Sequence, residues 1–135
     1  MKYMILMYGS QHDYDAMTGN GPAWSAEDFA AMGKFMESFN HDLAESGELV
    51  DTRGLTATVR ARRITLKQGV PVITDGPYPE TQEVLAGYWI VECESFDRAT
   101  AIAVRLTGCP GPYGADYQGT VDVRPIADSR HELEL

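Results

Sequence analysis

Two short runs, residues 2–8 and 88–94, carry apolar side chains on both sides of a β alternation. The apolar residues of the first run are Tyr3, Ile5 and Met7 on one side and Met4, Leu6 and Tyr8 on the other. A strand that is apolar on both faces belongs in the middle of a sheet that is covered on both sides. We therefore expect both runs to be central strands, and this requirement constrains the fold more than any other feature.

Residues 25–47 carry the clearest helical signal. Ser25 with Asp28 three residues on is a variant of the capping box, and Gly47 suits a left-handed helix end. Between them, apolar residues recur at steps of three and four: Phe29, Met32, Met36, Phe39 and Leu43. A second amphipathic helix is predicted after Ser95, ending at Gly108. Its apolar stripe is Phe96, Ala99, Ala103 and Leu106, with Ile102 beside it.

The remaining alternating runs predict further strands at residues 48–55, 58–67, 70–74 and 120–125. Within the run 58–67 the apolar residues change from one face of the β alternation to the other, which predicts a β-bulge near Arg62 and Arg63. Residues 67–69, Lys-Gln-Gly, read as a turn that joins the runs on either side into a hairpin. The predicted order is strand, helix, strand, hairpin, strand, helix, strand.

This order predicts an α+β fold of the ferredoxin-like type, with two helices on one face of an antiparallel sheet of about five strands. The other face also needs a cover, and a second copy of the same sheet would supply it. We therefore expect a homodimer resembling a dimeric α/β barrel. Residues 1–126 are expected to form the single domain, and residues 127–135 a polar tail.

Composition excludes several classes of partner. The net charge of the chain is −9. Only the segment 51–75 has a positive net charge, because it carries five basic and two acidic side chains. This surface repels phosphate backbones, so nucleic-acid binding is not expected. The first apolar run is too short for a signal peptide or a membrane span, so a cytoplasmic protein is expected. Cys93 and Cys109 lack a CxxC spacing and are read as free thiols; no metal or cofactor is expected.

Residues 75–83, Asp-Gly-Pro-Tyr-Pro-Glu-Thr-Gln-Glu, form a polar loop next to predicted strands, a common place for functional sites. Asp75 can accept hydrogen bonds from turn amides or act as a general base. Glu80 and Glu83 lie three residues apart, so they can form an acid/base pair, hold a hard cation or remain solvated. These alternatives remain open at the level of the sequence.

The same loop, followed by residues 87–90, Gly-Tyr-Trp-Ile, resembles the signature of the DGPF (DGPFAETKE) family within the YCII-related superfamily. The resemblance implies a ferredoxin-like dimer related to the dimeric α/β barrels, with a biochemical role that is generally unassigned. Some relatives in the wider superfamily are lyase- or isomerase-like enzymes. Four residues depart from the signature: Tyr78, Pro79, Gln82 and Ala86 stand for phenylalanine, alanine, lysine and glycine. Without that lysine, the loop carboxylates are expected to lack a local basic partner.

Other candidate residues lie outside the loop. His12 follows the first strand, and an exposed imidazole can move protons near neutral pH. Arg124 can bind a carboxylate bidentately, or it can pair across the sheet with Asp122 or Glu92. The hydroxyls of Tyr8 and Tyr88 can orient a ligand, although the same rings can also be core.

These residues support three hypotheses. The first is a small-molecule-binding dimer with an accessory or regulatory role, its groove beside the loop 75–83. The second is an isomerase- or lyase-type enzyme that acts on a small organic acid, with His12 and Asp75 or Glu80 transferring protons. The third is a structural protein–protein partner. The enzyme hypothesis requires His12, a loop carboxylate and Arg124 to converge on one cavity.

Overall fold

The computed structural model describes residues 1–10, 14, 17, 24–79, 82–111 and 119–134. Within these residues the chain forms helices and antiparallel sheets, which confirms the α+β class. The elements are β1 (Lys2–Ser10), α1 (Ala26–Glu45), β2 (Leu49–Gly54), β3 (Arg62–Lys67), β4 (Val70–Asp75), β5 (Glu83–Glu92), α2 (Phe96–Val104), β6 (Val121–Pro125) and α3 (Arg130–Leu133). Two 3₁₀ turns, Thr58–Arg60 and Arg105–Gly108, lie before β3 and after α2.

The main sheet has the strand order β2-β5-β1-β6, and all three pairings are antiparallel. The two runs that are apolar on both faces lie in β1 and β5, which are the central strands as expected. β5 is longer than predicted and begins at Glu83, so the loop before it is shorter. The sequence predicted about five strands in one sheet, whereas the main sheet of the described residues has four. β3 and β4 pair only with each other and form a separate two-stranded sheet.

The core lies between one face of the main sheet and the two longer helices. Its most deeply buried large side chains are Ile5, Phe39, Leu43, Val91, Ile102 and Leu106. Each such side chain contributes roughly 1.5–3 kcal/mol by leaving water. Phe39 of α1 meets Trp89 of β5 edge to face, with ring centroids 5.5 Å apart. This packing fixes the position of α1 over the sheet.

The opposite face of the main sheet is only half-buried. Cross-strand pairs place Met4 opposite Ile90 and Leu6 opposite Tyr88, and all four side chains are partly exposed. We call these four residues the open sheet face. Within the described part of the chain, no element covers it as α1 and α2 cover the other side.

The ends of α1 follow the sequence prediction. The Ser25 hydroxyl accepts a hydrogen bond from the Asp28 amide, and the Asp28 carboxylate accepts one from the Ser25 amide, which completes the capping box. Beyond the C-terminal end, Gly47 has φ +77° and the Glu48 amide donates to the Leu43 carbonyl. A glycine adopts this left-handed conformation without the steric cost of a Cβ atom.

The hairpin prediction is confirmed, but the predicted bulge is wrong. Gln68 and Gly69 have φ angles of 51° and 79°, as in a two-residue turn of type I′. The β3–β4 register is regular from Arg62 to Lys67. The change of face in the apolar pattern comes instead from the 3₁₀ turn at Thr58–Arg60, which ends before the strand begins.

The helices of the described segments are too short or too polar to cross a lipid bilayer.

Candidate functional site

A cavity of about 500 Å³ lies on the helix side of the main sheet. Its walls come from β1, β2, β5, α1 and residues 109–111, together with Tyr14, Met17, Trp24 and Leu55. The side chains that define its character are Met7, Tyr8, Met32, Met36, Asn40, Thr52, Trp89 and Cys109. The cavity is therefore largely apolar, with a few polar atoms in its wall.

The secondary structure explains why these side chains meet. Trp89 and Thr52 are cross-strand partners, so both point to the helix side of the sheet. Met32, Met36 and Asn40 follow one another at four-residue steps along α1 and so share one face of the helix. Methionine side chains adapt to ligands of different shape because they are unbranched and polarizable.

Two polar side chains of the wall are held by hydrogen bonds. The Trp89 indole Nε1 donates to Asn40 Oδ1 at 2.7 Å. The Thr52 hydroxyl donates to the Tyr88 carbonyl at 3.0 Å. Both contacts fix the positions of groups that a ligand would meet. The remaining amide hydrogens of Asn40 and a lone pair of the Thr52 oxygen are the polar functions that these side chains can offer.

Cys109 contributes a neutral thiol to the wall. The residue is 3% exposed, and burial raises the pKa of its thiol to about 11. The thiolate is the nucleophilic form, so Cys109 is a poor nucleophile near neutral pH. Its role in the cavity is that of a small, polarizable wall residue.

The charged residue at the rim, Arg53, is held by contacts outside the cavity. Its guanidinium lies 2.8 Å from Asp51 Oδ1 and also donates to the Thr52 carbonyl. The other carboxylate oxygen of Asp51 accepts a hydrogen bond from the Tyr88 hydroxyl at 3.2 Å. Tyr88 belongs to the open sheet face, so this ion pair lies on the side of the sheet opposite the cavity. Apart from Arg53, the described wall residues are neutral.

A second cavity, of about 410 Å³, lies beside the loop 75–83. Its wall includes Thr58, Arg63, Tyr78, Gln82 and Glu83. The Arg63 guanidinium lies 4.1 Å from the centre of the Tyr78 ring, a cation–π contact. This cavity is smaller, and it carries charged side chains of both signs.

The loop is anchored by hydrogen bonds from its backbone amides to the segment before β3. The Gly76 amide donates to the Ala61 carbonyl at 2.9 Å, and the Tyr78 amide donates to the Thr58 hydroxyl at 3.4 Å. A Cβ atom on Gly76 would lie 1.7 Å from the Thr58 carbonyl oxygen, so this close approach requires glycine.

The expectation that the loop carboxylates lack a local basic partner is wrong for Asp75. Asp75 forms an ion pair with Arg62, its cross-strand partner, at 3.4 Å. Both side chains are 77% exposed, so the pair is worth little energetically. The amides of Gly76 and Tyr78 donate to Ala61 and Thr58. These two amides therefore do not donate to the Asp75 carboxylate, which was one of the alternatives for this residue.

The predicted site residues lie in several places. Tyr8 lines the larger cavity and Glu83 the smaller one. Tyr88 and Arg124 lie on the other side of the main sheet, where Arg124 is opposite Met4. Among the described residues no carboxylate lies within 4.0 Å of the Arg124 guanidinium. The anion-binding role of Arg124 stays a prediction.

His12 and Glu80 lie outside the described residues. The convergence of His12, a loop carboxylate and Arg124 therefore stays a prediction. Of the described members of that set, Asp75 is at the exposed base of the hairpin and Arg124 is on the open side of the main sheet.

Of the residues that line the larger cavity, the sequence singled out only Tyr8 as a candidate ligand contact, and it placed Met32 and Met36 in the apolar stripe of the first helix. The spacing of Met32 and Met36 was a correct signal for a buried helix face, but it does not distinguish packed core from a cavity wall. Cys109 follows the predicted helix end at Gly108, and the sequence identified it only as a free thiol. Among the described residues, no three His, Cys, Asp or Glu side chains lie close enough together to hold a metal ion.

Comparison with known proteins agrees with the YCII-related superfamily to which the motif pointed. Residues 1–129 match the model of the YCII-related domain. An uncharacterized protein of Rhizobium meliloti (strain 1021) is 28% identical over 127 residues, which cover 94% of this chain and 93% of that protein. The chain belongs to the YCII-related domain family.

Proposed function

We propose that this protein binds a flat, neutral and largely apolar small molecule in the cavity between α1 and the main sheet. The observation that carries the proposal is the cavity itself, about 500 Å³ with Trp89 and two methionines in its wall. Small-molecule sites typically measure about 300–1,000 Å³ and combine an apolar wall with a few fixed polar groups. Asn40 and Thr52 are groups of that kind.

The charges around the cavity support a neutral ligand. Arg53 is paired with Asp51 on the opposite side of the sheet, so its guanidinium is not directed at the cavity. A buried carboxylate without a cationic partner would pay a large desolvation cost. A hydroxylated aromatic compound instead places its ring against Trp89 and its hydroxyl near Asn40 or Thr52. The small organic acid expected from the sequence is the competing ligand class.

A matched pair of probes separates these two classes. We expect 1-naphthol to bind with higher affinity than 1-naphthoate, as measured by isothermal titration calorimetry and by the rise in melting temperature. Met32→Trp, which adds volume to the cavity wall, should weaken 1-naphthol binding at least tenfold. Val104→Trp, at an exposed position of α2, is the control and should leave binding unchanged. Equal binding by Met32→Trp and wild type would place the ligand elsewhere, and preferred binding of naphthoate would reject the neutral ligand.

The protein is also proposed to be a homodimer that buries the open sheet face, Met4, Leu6, Tyr88 and Ile90. The strand order β2-β5-β1-β6 and two helices on one side support a ferredoxin-like protomer, and pairing of two such sheets would give a dimeric α/β barrel. Light scattering should report a dimer. Ile90→Lys should shift it toward monomer, whereas Val104→Lys, on the helix side, should not. A monomeric wild type at all concentrations would contradict the dimer.

The loop 75–83 supports placement of the chain in the DGPF-type group of the YCII-related family. The enzymatic alternative, an isomerase or lyase on a small organic acid, depends on His12 and Glu80. This enzymatic role is a hypothesis. We favour an accessory or regulatory role, because the proposed site binds a ligand and has no assigned reaction.

A further inference from the structure

The hydrogen bond between Trp89 and Asn40 fixes the direction in which the Asn40 amide faces. An indole N–H can only donate, so the Asn40 atom that it meets at 2.7 Å is the oxygen Oδ1. The amide nitrogen of Asn40 carries two N–H bonds that this contact does not use. Because Asn40 lines the larger cavity, this part of the wall offers a hydrogen-bond donor to a ligand.

Thr52, which also lines the cavity, has the opposite hydrogen-bonding polarity. Its hydroxyl hydrogen is used in the bond to the Tyr88 carbonyl, at 3.0 Å. A hydroxyl oxygen has two lone pairs, so the Thr52 oxygen can still accept a hydrogen bond while its own hydrogen is engaged. The wall therefore offers a donor at Asn40 and an acceptor at Thr52.

The donor and the acceptor lie at different ends of the Trp89 side chain. Asn40 meets the ring nitrogen of Trp89, whereas Thr52 is the cross-strand partner of Trp89. The Cβ atoms of directly opposed residues are about 5 Å apart, so Thr52 lies beside the Cβ end of the same side chain. A flat bicyclic ring system that lies along the indole can therefore reach both polar groups.

We infer that the ligand of this cavity is an aromatic hydroxy ketone, whose carbonyl accepts a hydrogen bond from Asn40 and whose hydroxyl donates one to Thr52. This inference rests on the proposed function and specifies the polar groups of its ligand. A carbonyl only accepts, which suits the Asn40 amide, and a hydroxyl supplies the hydrogen that the Thr52 oxygen lacks. A ligand without one of these groups leaves a polar atom of the wall unpaired, and a hydrogen-bonding site discriminates against such a ligand.

Three bicyclic probes of similar size separate the two contributions. 5-Hydroxy-1-tetralone carries both groups, 1-tetralone carries only the carbonyl, and 5,6,7,8-tetrahydro-1-naphthol carries only the hydroxyl. Isothermal titration calorimetry with the full wild-type chain measures the three dissociation constants. The constant of 5-hydroxy-1-tetralone should be at least about fivefold lower than that of either other probe, which is the effect expected of one hydrogen bond.

Two variants should change the preferences in a crossed pattern. Asn40→Asp keeps an acceptor for Trp89 but replaces the amide N–H group with oxygen, so it should weaken 1-tetralone at least about fivefold more than 5,6,7,8-tetrahydro-1-naphthol. Thr52→Val removes the acceptor at nearly constant volume, so it should weaken the two hydroxyl-bearing probes and leave 1-tetralone unchanged. Val104→Trp, at an exposed position of α2, is the control and should leave all three constants unchanged.

The inference is overturned if 5-hydroxy-1-tetralone binds no more tightly than the other two probes, or if each variant affects all three probes equally. Met32→Trp distinguishes that result from a failure of the proposed function. If Met32→Trp still blocks the probes, the cavity binds ligands and only the assignment of their polar groups is wrong. If none of the probes binds, or if Met32→Trp binds them as wild type does, the proposed function and this inference both fail.

Discussion

The indole nitrogen of Trp89 on β5 donates a 2.7 Å hydrogen bond to Oδ1 of Asn40 on α1. Trp89 is 5% exposed, so this bond satisfies a donor that water scarcely reaches. It joins the sheet to the helix in the wall of the larger cavity. The contact thus couples the stability of the fold to the geometry of the proposed binding site.

Removal of the Asn40 acceptor should destabilise the protein. Asn40→Ala leaves the Trp89 N–H unpaired in a buried position, which costs about 1–3 kcal/mol. Asn40→Asp keeps an acceptor at the same place and should recover part of the loss. Urea unfolding measures both changes. If Asn40→Ala and the control Ser38→Ala at an exposed helix position unfold at the same urea concentration, the bond does not contribute to stability.

Gly76→Ala should be strongly destabilising. Its Cβ would lie 1.7 Å from the Thr58 carbonyl oxygen, which is backbone and cannot rotate away. The loop must then separate from Thr58, and the expected cost is about 2–3 kcal/mol, similar to overpacking in a core. Gly33→Ala on α1 is the opposite case, because no atom lies within 4 Å of its Cβ. It should stabilise by up to about 1 kcal/mol through helix propensity. Thermal unfolding of both variants tests the contrast.

The central elements could be predicted from the sequence because their signals are local. Ser25 and Asp28 mark the start of α1, Gly47 marks its end, and two-sided apolar alternation marks the central strands. These features act over a few residues, so the pattern alone is sufficient. The prediction of one sheet of about five strands was wrong, because the sequence of the β3–β4 hairpin does not indicate whether it joins the main sheet or forms a sheet of its own.

The cavity could not be predicted because it depends on contacts that are distant in sequence. Trp89 and Asn40 are 49 positions apart, and Cys109 comes from a third region. Periodicity identifies Met32 and Met36 as inward-facing, but it does not tell whether the space before them is filled. The role of Gly76 was also hidden, because its partner Thr58 lies in a 3₁₀ turn that resembles strand in the sequence.

Cys109 should resist thiol reagents in the folded protein. Burial raises the pKa of its thiol to about 11, so the reactive thiolate is a very small fraction at pH 8. In a Cys93→Ser background, labelling with iodoacetamide at pH 8 should be slow for native protein and rapid in urea. 1-Naphthol should slow the native reaction further if it occupies the cavity. Rapid native labelling at pH 8 would show that Cys109 is accessible.

The last prediction concerns the ion pair between Glu48 and Arg98. The guanidinium donates two hydrogen bonds to the carboxylate, at 2.8 and 2.7 Å, and the Ser46 hydroxyl donates a third at 2.8 Å. The hydrogen bonds from Arg98 hold the pKa of Glu48 below its ordinary value. Burial of the carboxylate acts in the opposite direction, and the hydrogen bond from Ser46 lowers the pKa further. The pair joins the segment after α1 to the first turn of α2.

Glu48→Gln should therefore destabilise the protein at neutral pH. Arg98 is 43% exposed and solvent screens the pair, so the expected loss is about 1 kcal/mol or less. A lowered folded-state pKa gives stability that is fully present above the ordinary glutamate pKa of about 4.3 and is lost as the pH falls through the folded-state pKa. The difference between wild type and Glu48→Gln should shrink accordingly in acid. Glu37→Gln, on the exposed side of α1, is the control, and urea unfolding between pH 7 and pH 3 provides the measurement. A difference that stays constant over this range would mean that the Glu48 carboxylate is not responsible.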